Sequence, residues 1–461
     1  MLGKVRGFFM QLLNFLNKQT IEQVTGIDVG ISAEMLDAIR TCNAIMTHTA
    51  AWNGKVESCG IPDQIAGMLA ETVMQEIGIE VGNEAISPVM AHLNANVTKL
   101  VQYIALVGGC VIRPLFSSGK MQYEALPLGN YLPIKYDFDG MLLSAIIVKK
   151  ISEKNKKFML VERHEYYNGN HAVECTLYRN DGGMLSKTAL TACSQTADIT
   201  PSYVWHNVTR PMIIEFRSHI VNKIDGSDVP VSLIWSVKGL IKDADMQYHR
   251  MINEQELGEK VVFADSDLFV RRQARDGNIG NTTLAPKLKN LVVEVDGGIS
   301  KDGDKIREYS PTLRTDQQAQ FFQQILRRIE MTVNIGKGAI SDLGDVPQTA
   351  TQYTGGRKAF YSIVDTIEDE VEQKYHACAE VFAHMSAAYG LGSNDSSITV
   401  TWNDALRKDP VSDKQIAMQE VLNGVMSKAE YRMKFYGEDE ATAMRAVEAM
   451  KSEAQQGTFV L

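Results

Sequence analysis

Three long stretches of helical periodicity in the second half of the chain constrain its fold more than any other feature. Apolar or aromatic residues recur every three or four positions over residues 234–261, 322–333 and 360–385. At 1.5 Å per residue, the first and third patterns predict helices of about 45 Å and about 50 Å. Few compact domains need helices of this length.

Local signals set the expected limits of the first two helices. Asp228 and Pro230 favour a start for the first helix, because a proline early in a helix removes only an amide that would have no partner there. Thr315 and Gln318 have the spacing of a capping box at the start of the second. A Gly-x-Gly sequence that begins at Gly336 predicts its end.

The connection between the second and third helices has a composition that favours a flexible loop. Residues 342–356 read DLGDVPQTATQYTGG, a nearly uncharged run of Gly, Thr, Gln and one Pro. These residue types oppose helix formation and lower the cost of backbone rearrangement. We therefore expect a flexible loop over residues 337–353, with the third helix running from about Thr354 to Tyr389.

The first half of the chain predicts an α+β region. Residues 30–108 are mostly helical in pattern, whereas residues 109–218 alternate in hydropathy between Gly, Asn and Asp turns, as short antiparallel strands do. The predicted strands are CVIRPLF, KMQYEAL, YLPIKYDF, LLSAIIVKKI, KFMLVERHEYY, AVECTLYRN and MIIEFRS.

The C-terminal end predicts one strand followed by a separate helical unit. SITVTW, residues 397–402, is the strand. Ser412 and Asp413 favour the cap of one helix, and Ser427 and Glu430 have capping-box spacing at the start of the next.

Length and charge bound the function. At 461 residues the chain exceeds the size of a single core. Its formal net charge of −9 argues against bulk nonspecific binding to nucleic acid, which depends on Lys and Arg neutralising phosphates. Locally placed basic side chains remain compatible with this balance.

No residue pattern indicates catalysis, a metal or a cofactor. His164, His171 and Cys175 match no zinc spacing, so ordinary strand residues are the favoured interpretation. Residues 353–358 lack the spacing of a phosphate loop. The cysteines are scattered singly, which favours reduced thiols over a disulfide framework: Cys42, Cys59, Cys110, Cys175, Cys193 and Cys378.

Residues 1–19 form an amphipathic pattern at the N-terminus. The stretch is too short, and too interrupted by Lys4, Arg6 and Asn14, to span a bilayer. We expect it to dock on a neighbouring surface, with no stable membrane insertion. Binding to a membrane surface is the alternative.

The element order and two sequence stretches carry a family resemblance. QTATQ at residues 348–352 and SKAEYRMKFYGEDEATA at residues 427–443 resemble corresponding stretches in portal proteins of long-tailed bacteriophages that infect Gram-positive bacteria. Many relatives have Glu where this chain has Gln352. The resemblance covers about residues 228–450, and extends to the N-terminal part by overall layout.

The resemblance implies a portal-type α+β fold with long stem helices, a mixed α/β wing, a small β-containing clip and a C-terminal helical crown. It implies these segments: residues 1–227, wing; 228–262, stem helix; 263–314, clip; 315–336, second stem helix; 337–353, tunnel loop; 354–411, long wing helix and strand; 412–461, crown.

The resemblance also implies a function. Such proteins assemble as a dodecameric homo-oligomer at one capsid vertex, around a channel for packaging and ejection of double-stranded DNA, which is bound without sequence specificity. The implied partners are the terminase large subunit, a head-tail adaptor, and the major capsid and scaffolding proteins. The implied location is the virion, with the host cytoplasm during assembly, and no enzymatic activity or cofactor is implied.

Candidate DNA-facing residues follow from the implied channel. The tunnel-loop candidates are Lys337, Asp342, Val346, Gln348 and Thr349; the stem candidates are Arg327 and Arg328; the clip candidates are Arg271, Arg272 and Arg275. One basic side chain per subunit would become a circle of positive charge in a ring.

Two other functions stay open from the residues alone. One is a non-enzymatic helical scaffold whose N-terminal amphipathic helix binds a membrane surface and whose long helices form a coiled coil. The spacing drifts like an ordinary 3.6-residue helix instead of keeping a heptad, which disfavours it. The other is a hydrolase, for which the sequence nominates no residue.

Overall fold

The computed structural model describes nine stretches of the chain, and the fold in them is α+β, as predicted. The described residues are 30–54, 56–181, 184–258, 261–265, 292–295, 306–309, 312–342, 350–403 and 410–456. The chain divides into two compact units. The first is Met1–Ala70 with Thr98–Gly344, and the second is Glu71–Val97 with Asp345–Leu461.

The described residues form the following helices and strands. The helices are α1 (Ala33–Met46), α2 (Ile61–Glu76), α3 (Ser87–Ala95), α4 (Val97–Val107), α5 (Lys238–Leu257), α6 (Thr315–Val333), α7 (Ala350–Ala388), α8 (Pro410–Leu422), α9 (Lys428–Tyr436) and α10 (Glu440–Gln456). The strands are β1 (Ile77–Val81), β2 (Gly109–Ser117), β3 (Lys120–Pro127), β4 (Tyr131–Tyr136), β5 (Leu142–Glu153), β6 (Lys156–Tyr167), β7 (Asn170–Asp181), β8 (Met184–Thr188), β9 (Ser202–His206), β10 (Ile214–Arg217), β11 (Val261–Asp265), β12 (Val292–Val295), β13 (Ile306–Tyr309) and β14 (Ile398–Trp402).

The strand-rich layer of the first unit contains the strands predicted from alternating hydropathy, which are confirmed. One sheet has the order β4-β5-β6-β7-β8, with β9 also pairing with β7, and a second has the order β10-β2-β3. All neighbouring pairs in these two sheets are antiparallel. Phe158, Leu160 and Leu177 lie in a buried cluster on β6 and β7.

The first long helix begins at Lys238, about ten residues after the predicted start near Asp228. The preceding segment is held at the end of α4 instead: Leu233 N–H donates to the carbonyl of Ala105 at 3.0 Å, and Ser232 Oγ donates to the carbonyl of Leu106 at 2.8 Å. These bonds satisfy carbonyls at the C-terminus of α4. Residues 233–234 form a turn, and Trp235–Val237 form a short 3₁₀-helix before α5. α5 has 20 residues and is therefore about 30 Å long, shorter than the expected length of about 45 Å.

A small sheet follows α5 within the segment predicted to contain β structure. Its order is β12-β11-β13, in which β11 pairs parallel with β12 and antiparallel with β13. Because β11 has one parallel and one antiparallel neighbour, this sheet is more than a hairpin.

The second unit is organised around α7 and a two-stranded sheet. α7 has 39 residues, about 58 Å, and buries the predicted stripe at Val371, Tyr375 and Phe382. β1 pairs antiparallel with β14, although its residues lie in the region that was predicted to be mostly helical. Trp402 Nε1 at the end of β14 donates to Glu372 of α7 at 2.7 Å.

Three short helices end the described chain. The capping box of α9 is confirmed: Glu430 N–H donates to Ser427 Oγ at 3.1 Å, and Ser427 N–H donates to the Glu430 carboxylate at 2.7 Å. α8 begins at Pro410, before the predicted cap at Ser412. Proline suits a first helical position, because no helical acceptor is available to its nitrogen there.

Candidate functional site

α5 and α6 form the helix pair that carries the stem candidates. Gln247 of α5 bonds to Gln318 of α6, and Glu254, further along α5, bonds to Arg314 just before α6. Because residue numbers rise along one helix as they fall along the other, the two helices run antiparallel. Tyr248 and Phe322 bring their ring centroids to 6.0 Å and add an aromatic contact between the helices.

Glu254 caps the start of α6, and the predicted capping box at Thr315 is wrong. The helix has Arg314 at its N-cap without a side-chain cap of its own. Arg314 N–H donates to Glu254 Oε1 at 2.9 Å, and Gln318 Nε2 donates to Glu254 Oε2 at 3.0 Å. The Arg314 amide is the main reason that the pKa of Glu254 is lowered. A carboxylate from a neighbouring helix therefore replaces the local cap.

The two stem arginines lie on the exposed side of α6. Arg327 and Arg328 are exposed, whereas Ile325, Ile329 and Val333 are buried as predicted. Arg327 Nη2 donates to the carbonyl of Asp342 at 3.3 Å. Part of the hydrogen-bonding capacity of Arg327 is therefore used within its own chain.

α6 ends at Val333, before the predicted glycine stop. Asn334 adopts a left-handed conformation with φ of 66°, and the N–H groups of Asn334 and Ile335 both donate to the carbonyl of Glu330, at 2.8 and 3.2 Å. Asparagine tolerates this conformation better than most residues and so ends the helix earlier. Gly336 and Gly338 also have positive φ, 86° and 80°, and reverse the chain direction.

The Glu330 carboxylate collects four hydrogen bonds from the segment that follows this reversal. Gly338 N–H donates to Oε2 at 3.1 Å, and Ser341 Oγ donates to the same oxygen at 2.8 Å. The N–H groups of Ile340 and Ser341 donate to Oε1, each at 2.7 Å. Glu330 is only 1% exposed, and these donors offset the cost of burying its carboxylate.

The segment then runs back along α6. Asp342 N–H donates to Gln323 Oε1 at 2.8 Å, and Arg327 contacts the Asp342 carbonyl. Glu330, Arg327 and Gln323 lie on successive turns toward the start of the helix, so residues 338–342 follow its surface. Lys337 is exposed at the turn that precedes this segment.

A second buried polar cluster lies in the strand layer, where the sequence raised and rejected a metal site. His164 Nδ1 on β6 lies 3.1 Å from His171 Nε2 on β7, and both rings are buried. Met212 N–H donates to His171 Nδ1 at 3.3 Å, so His171 is a neutral imidazole with its proton on Nε2. Burial lowers its pKa to about 3, and the neighbouring His164 adds to the effect.

Arg113 and Glu162 continue this cluster. The Arg113 guanidinium pairs with Glu162 and, at 2.6 Å, with Glu124, while His164 Nε2 lies 3.5 Å from Glu162 Oε2. Burial alone would raise the pKa of Glu162, but the contacts with His164 and Arg113 outweigh it and lower the pKa to about 2. Over the described part of the chain, no group of His, Cys, Asp and Glu residues is arranged to hold a metal ion.

The sequence match decides the family. Residues 90–457 match the sequence model of the family described as phage portal protein, SPP1 Gp6-like. The chain belongs to this family. No curated protein sequence matches it. The matched span begins in α3 and includes the strand layer, α5, α6 and α7, so it extends well beyond the residues that carried the resemblance.

Membership in the phage portal family establishes the broad class of the protein. Phage portal proteins are structural components of the virion capsid that act in genome packaging. They form ring oligomers at a capsid vertex and interact with capsid and terminase proteins. No helix in the described stretches combines the length and apolar character needed to cross a bilayer. The membrane-surface alternative depends on residues 1–19, which lie outside the described residues.

The structure describes some of the candidate DNA-facing residues of this portal protein. Lys337 and Asp342 are exposed beside α6, as are Arg327 and Arg328 on the helix itself. Outside the described residues are Val346, Gln348, Thr349, Arg271, Arg272 and Arg275. The structure therefore brings together the loop start and the stem arginines.

The structure differs from the flexible loop expected over residues 337–353 at both of its ends. Residues 338–342 are fastened to α6, and α7 begins at Ala350, four residues before the predicted Thr354. Gly355 and Gly356 lie inside α7, where elongation of an established helix outweighs their low intrinsic propensity.

Sequence reasoning missed Glu330, although one signal was present. Glu330 follows Leu326 by four positions, which places a carboxylate on the stripe that Leu326 and Ile329 share. Charged residues are rarely buried without partners. An acidic residue on a buried stripe, just before a Gly-x-Gly turn, therefore indicates that nearby backbone donors will fold back onto it.

Proposed function

We propose that this chain forms a dodecameric ring at one capsid vertex and that double-stranded DNA passes through the ring during packaging and ejection. The observation that carries the proposal is the match of residues 90–457 to phage portal proteins, a span that includes the antiparallel pair of α5 and α6. In this proposal α5 and α6 line the channel, and the small β11–β13 sheet belongs to the clip.

Exposed cations on α6 support a DNA-facing role. Arg327 and Arg328 lie on its exposed side, and Lys337 stands at the turn beyond its end. Twelvefold repetition would turn each of them into a ring of positive charge inside a subunit whose formal net charge is −9. Such rings attract the duplex without a sequence-specific site, and a moving duplex requires contacts of this kind.

The remaining assignments complete this proposal. The tunnel loop includes Lys337, Asp342, Val346, Gln348 and Thr349, and the clip contributes Arg271, Arg272 and Arg275. The partners are the terminase large subunit at the clip, a head-tail adaptor, and the major capsid and scaffolding proteins. Assembly takes place in the host cytoplasm, before the ring becomes part of the virion.

Electron microscopy of the purified protein tests the assembly. We expect closed rings with a central hole wide enough for a DNA duplex. A protein that stays monomeric under all assembly conditions, including the presence of scaffolding and capsid proteins, contradicts the proposal.

Charge removal tests the channel. The variant K337Q should form normal rings but package or retain less DNA, and its DNA binding should lose about one unit of salt-dependence slope per phosphate contact removed. The matched control is K156Q, which removes the same charge from an exposed position at the β5–β6 turn. Equal packaging by K337Q and K156Q particles would mean that Lys337 does not contact DNA.

A further inference from the structure

We propose that Glu330 is a positioning residue whose buried carboxylate fastens residues 338–342 to α6 and thereby fixes the place of Lys337. The role of this positioning in DNA binding rests on the proposed contact between Lys337 and DNA. The attachment of residues 338–342 to α6 rests on the hydrogen bonds alone.

The bonds to Glu330 are concentrated on one short segment. Three backbone amides and one hydroxyl, all from Gly338, Ile340 and Ser341, surround a carboxylate that is 1% exposed. A buried carboxylate without such donors is strongly disfavoured, so the helix and the segment hold each other in place. Bonds to a charged acceptor are also stronger than neutral ones.

Two further contacts extend the attachment toward the start of α6. Gln323 Oε1 accepts from Asp342 N–H at 2.8 Å, and Arg327 Nη2 donates to the Asp342 carbonyl at 3.3 Å. Together with Glu330 they hold the segment over more than one helical turn. Fastening the segment also gives Arg327, a proposed channel cation, a fixed partner.

The attachment has a consequence for Lys337, because the residues around it have little stiffness of their own. Gly336 and Gly338 flank Lys337, and glycines in these positive-φ conformations permit many alternative backbone paths. α6 ends on one side of the turn and the Glu330 contacts lie on the other. With both sides held, the lysine of each subunit presents its charge at the same height in a ring.

Hydrogen exchange on assembled rings tests the attachment. In E330Q, the side chain keeps its volume but presents an NH₂ group to donors, so the amides of residues 338–341 should exchange about tenfold faster or more. The control D316N removes an exposed carboxylate from the opposite end of α6 and should leave these amides unchanged. If their exchange is the same in E330Q as in the unmodified protein, the attachment is overturned.

A double-mutant comparison tests the positioning role. K337Q should reduce DNA retention in the unmodified background and have at most half that effect in E330Q rings, because the lysine is no longer held in place. An undiminished effect of K337Q in E330Q rings overturns the positioning role. If K337Q has no effect in the unmodified background, Lys337 does not contact DNA, and the positioning role of Glu330 is then also wrong. The hydrogen-exchange experiment still decides whether Glu330 attaches residues 338–342 to α6.

A milder variant keeps the test decisive if E330Q does not assemble. S341A removes only the hydroxyl donor and leaves the three amides in place. It should accelerate exchange of residues 338–341 by a smaller factor than E330Q would. If S341A rings show unchanged exchange, the attachment is overturned.

Discussion

Acidification should weaken the six-stranded sheet through His171. This imidazole is 0% exposed, and it accepts a hydrogen bond from Met212 N–H while its other nitrogen faces His164. A second proton on His171 would sit on Nδ1, which now accepts the bond from Met212 N–H. Protonation would therefore place two donors opposite each other and break this bond. The charged groups of the cluster are already paired, because the Arg113 guanidinium contacts the carboxylates of Glu162 and Glu124.

The size of the effect follows from the lowered pKa. His171 has a pKa of about 3 in the folded protein, against an ordinary value of about 6.5. The unfolded chain therefore binds this proton first as the pH falls. The stabilisation is fully present above about pH 6.5 and is lost progressively toward about pH 3. Near pH 5 the loss amounts to about 2 kcal/mol, from about 1.4 kcal/mol per pKa unit over roughly 1.5 units.

Urea unfolding near pH 8 and near pH 5, followed by circular dichroism, measures this loss. The variant H171Q removes the titrating group, so its free energy of unfolding should depend on pH by about 2 kcal/mol less than that of the unmodified protein, whatever its absolute stability. The control H206Q changes an exposed histidine on β9 and should keep the full pH dependence. If H171Q and the unmodified protein lose the same free energy between the two pH values, His171 is not held neutral by burial.

Two further predictions concern stability in the first unit. Asp245 is 1% exposed and accepts hydrogen bonds from Trp52 Nε1 at 2.9 Å and from Cys59 N–H at 2.8 Å. D245A should therefore lower the free energy of unfolding, measured by urea titration, by about 2–4 kcal/mol. An unchanged unfolding midpoint contradicts this prediction. Gly108 has φ of 99°, and a Cβ there would lie 2.8 Å from the Pro230 carbonyl. G108A should therefore destabilise the protein by at least about 1 kcal/mol more than G119A in thermal melts, since Gly119 shares the positive φ but has open space around it; equal losses would show that the close contact is relieved without cost.

The strands of the first unit could be predicted because their signal is local. Alternating hydropathy along β5, β6 and β7 reflects one buried and one exposed face, and each strand pairs with its neighbour in sequence. β1 escaped prediction because its partner is β14, more than 300 residues later. Five residues of strand, stabilised by a distant partner, leave little local pattern.

Helix starts were less predictable, because tertiary contacts replaced the local signals. Pro230 favoured an early start of α5, but Ser232 and Leu233 bond to carbonyls at the end of α4. Thr315 had capping-box spacing, but Glu254 of the neighbouring helix supplies the acceptor. In both cases a partner remote in sequence bonds to the chain at the expected helix start, and local spacing carries no information about that partner.

The start of the proposed tunnel loop shows why amino-acid composition alone does not predict whether a segment is flexible. Glycines at 336 and 338 lower the cost of many backbone paths, and from them the sequence predicts a soft connection. Their positive φ angles, however, are what allow the chain to turn back and deliver three amides to Glu330. The same freedom that permits motion in an isolated loop thus permits attachment once a buried acceptor is nearby. In the proposed channel, the position of each exposed positive charge at Lys337 then depends on a negative charge buried in the helix beside it.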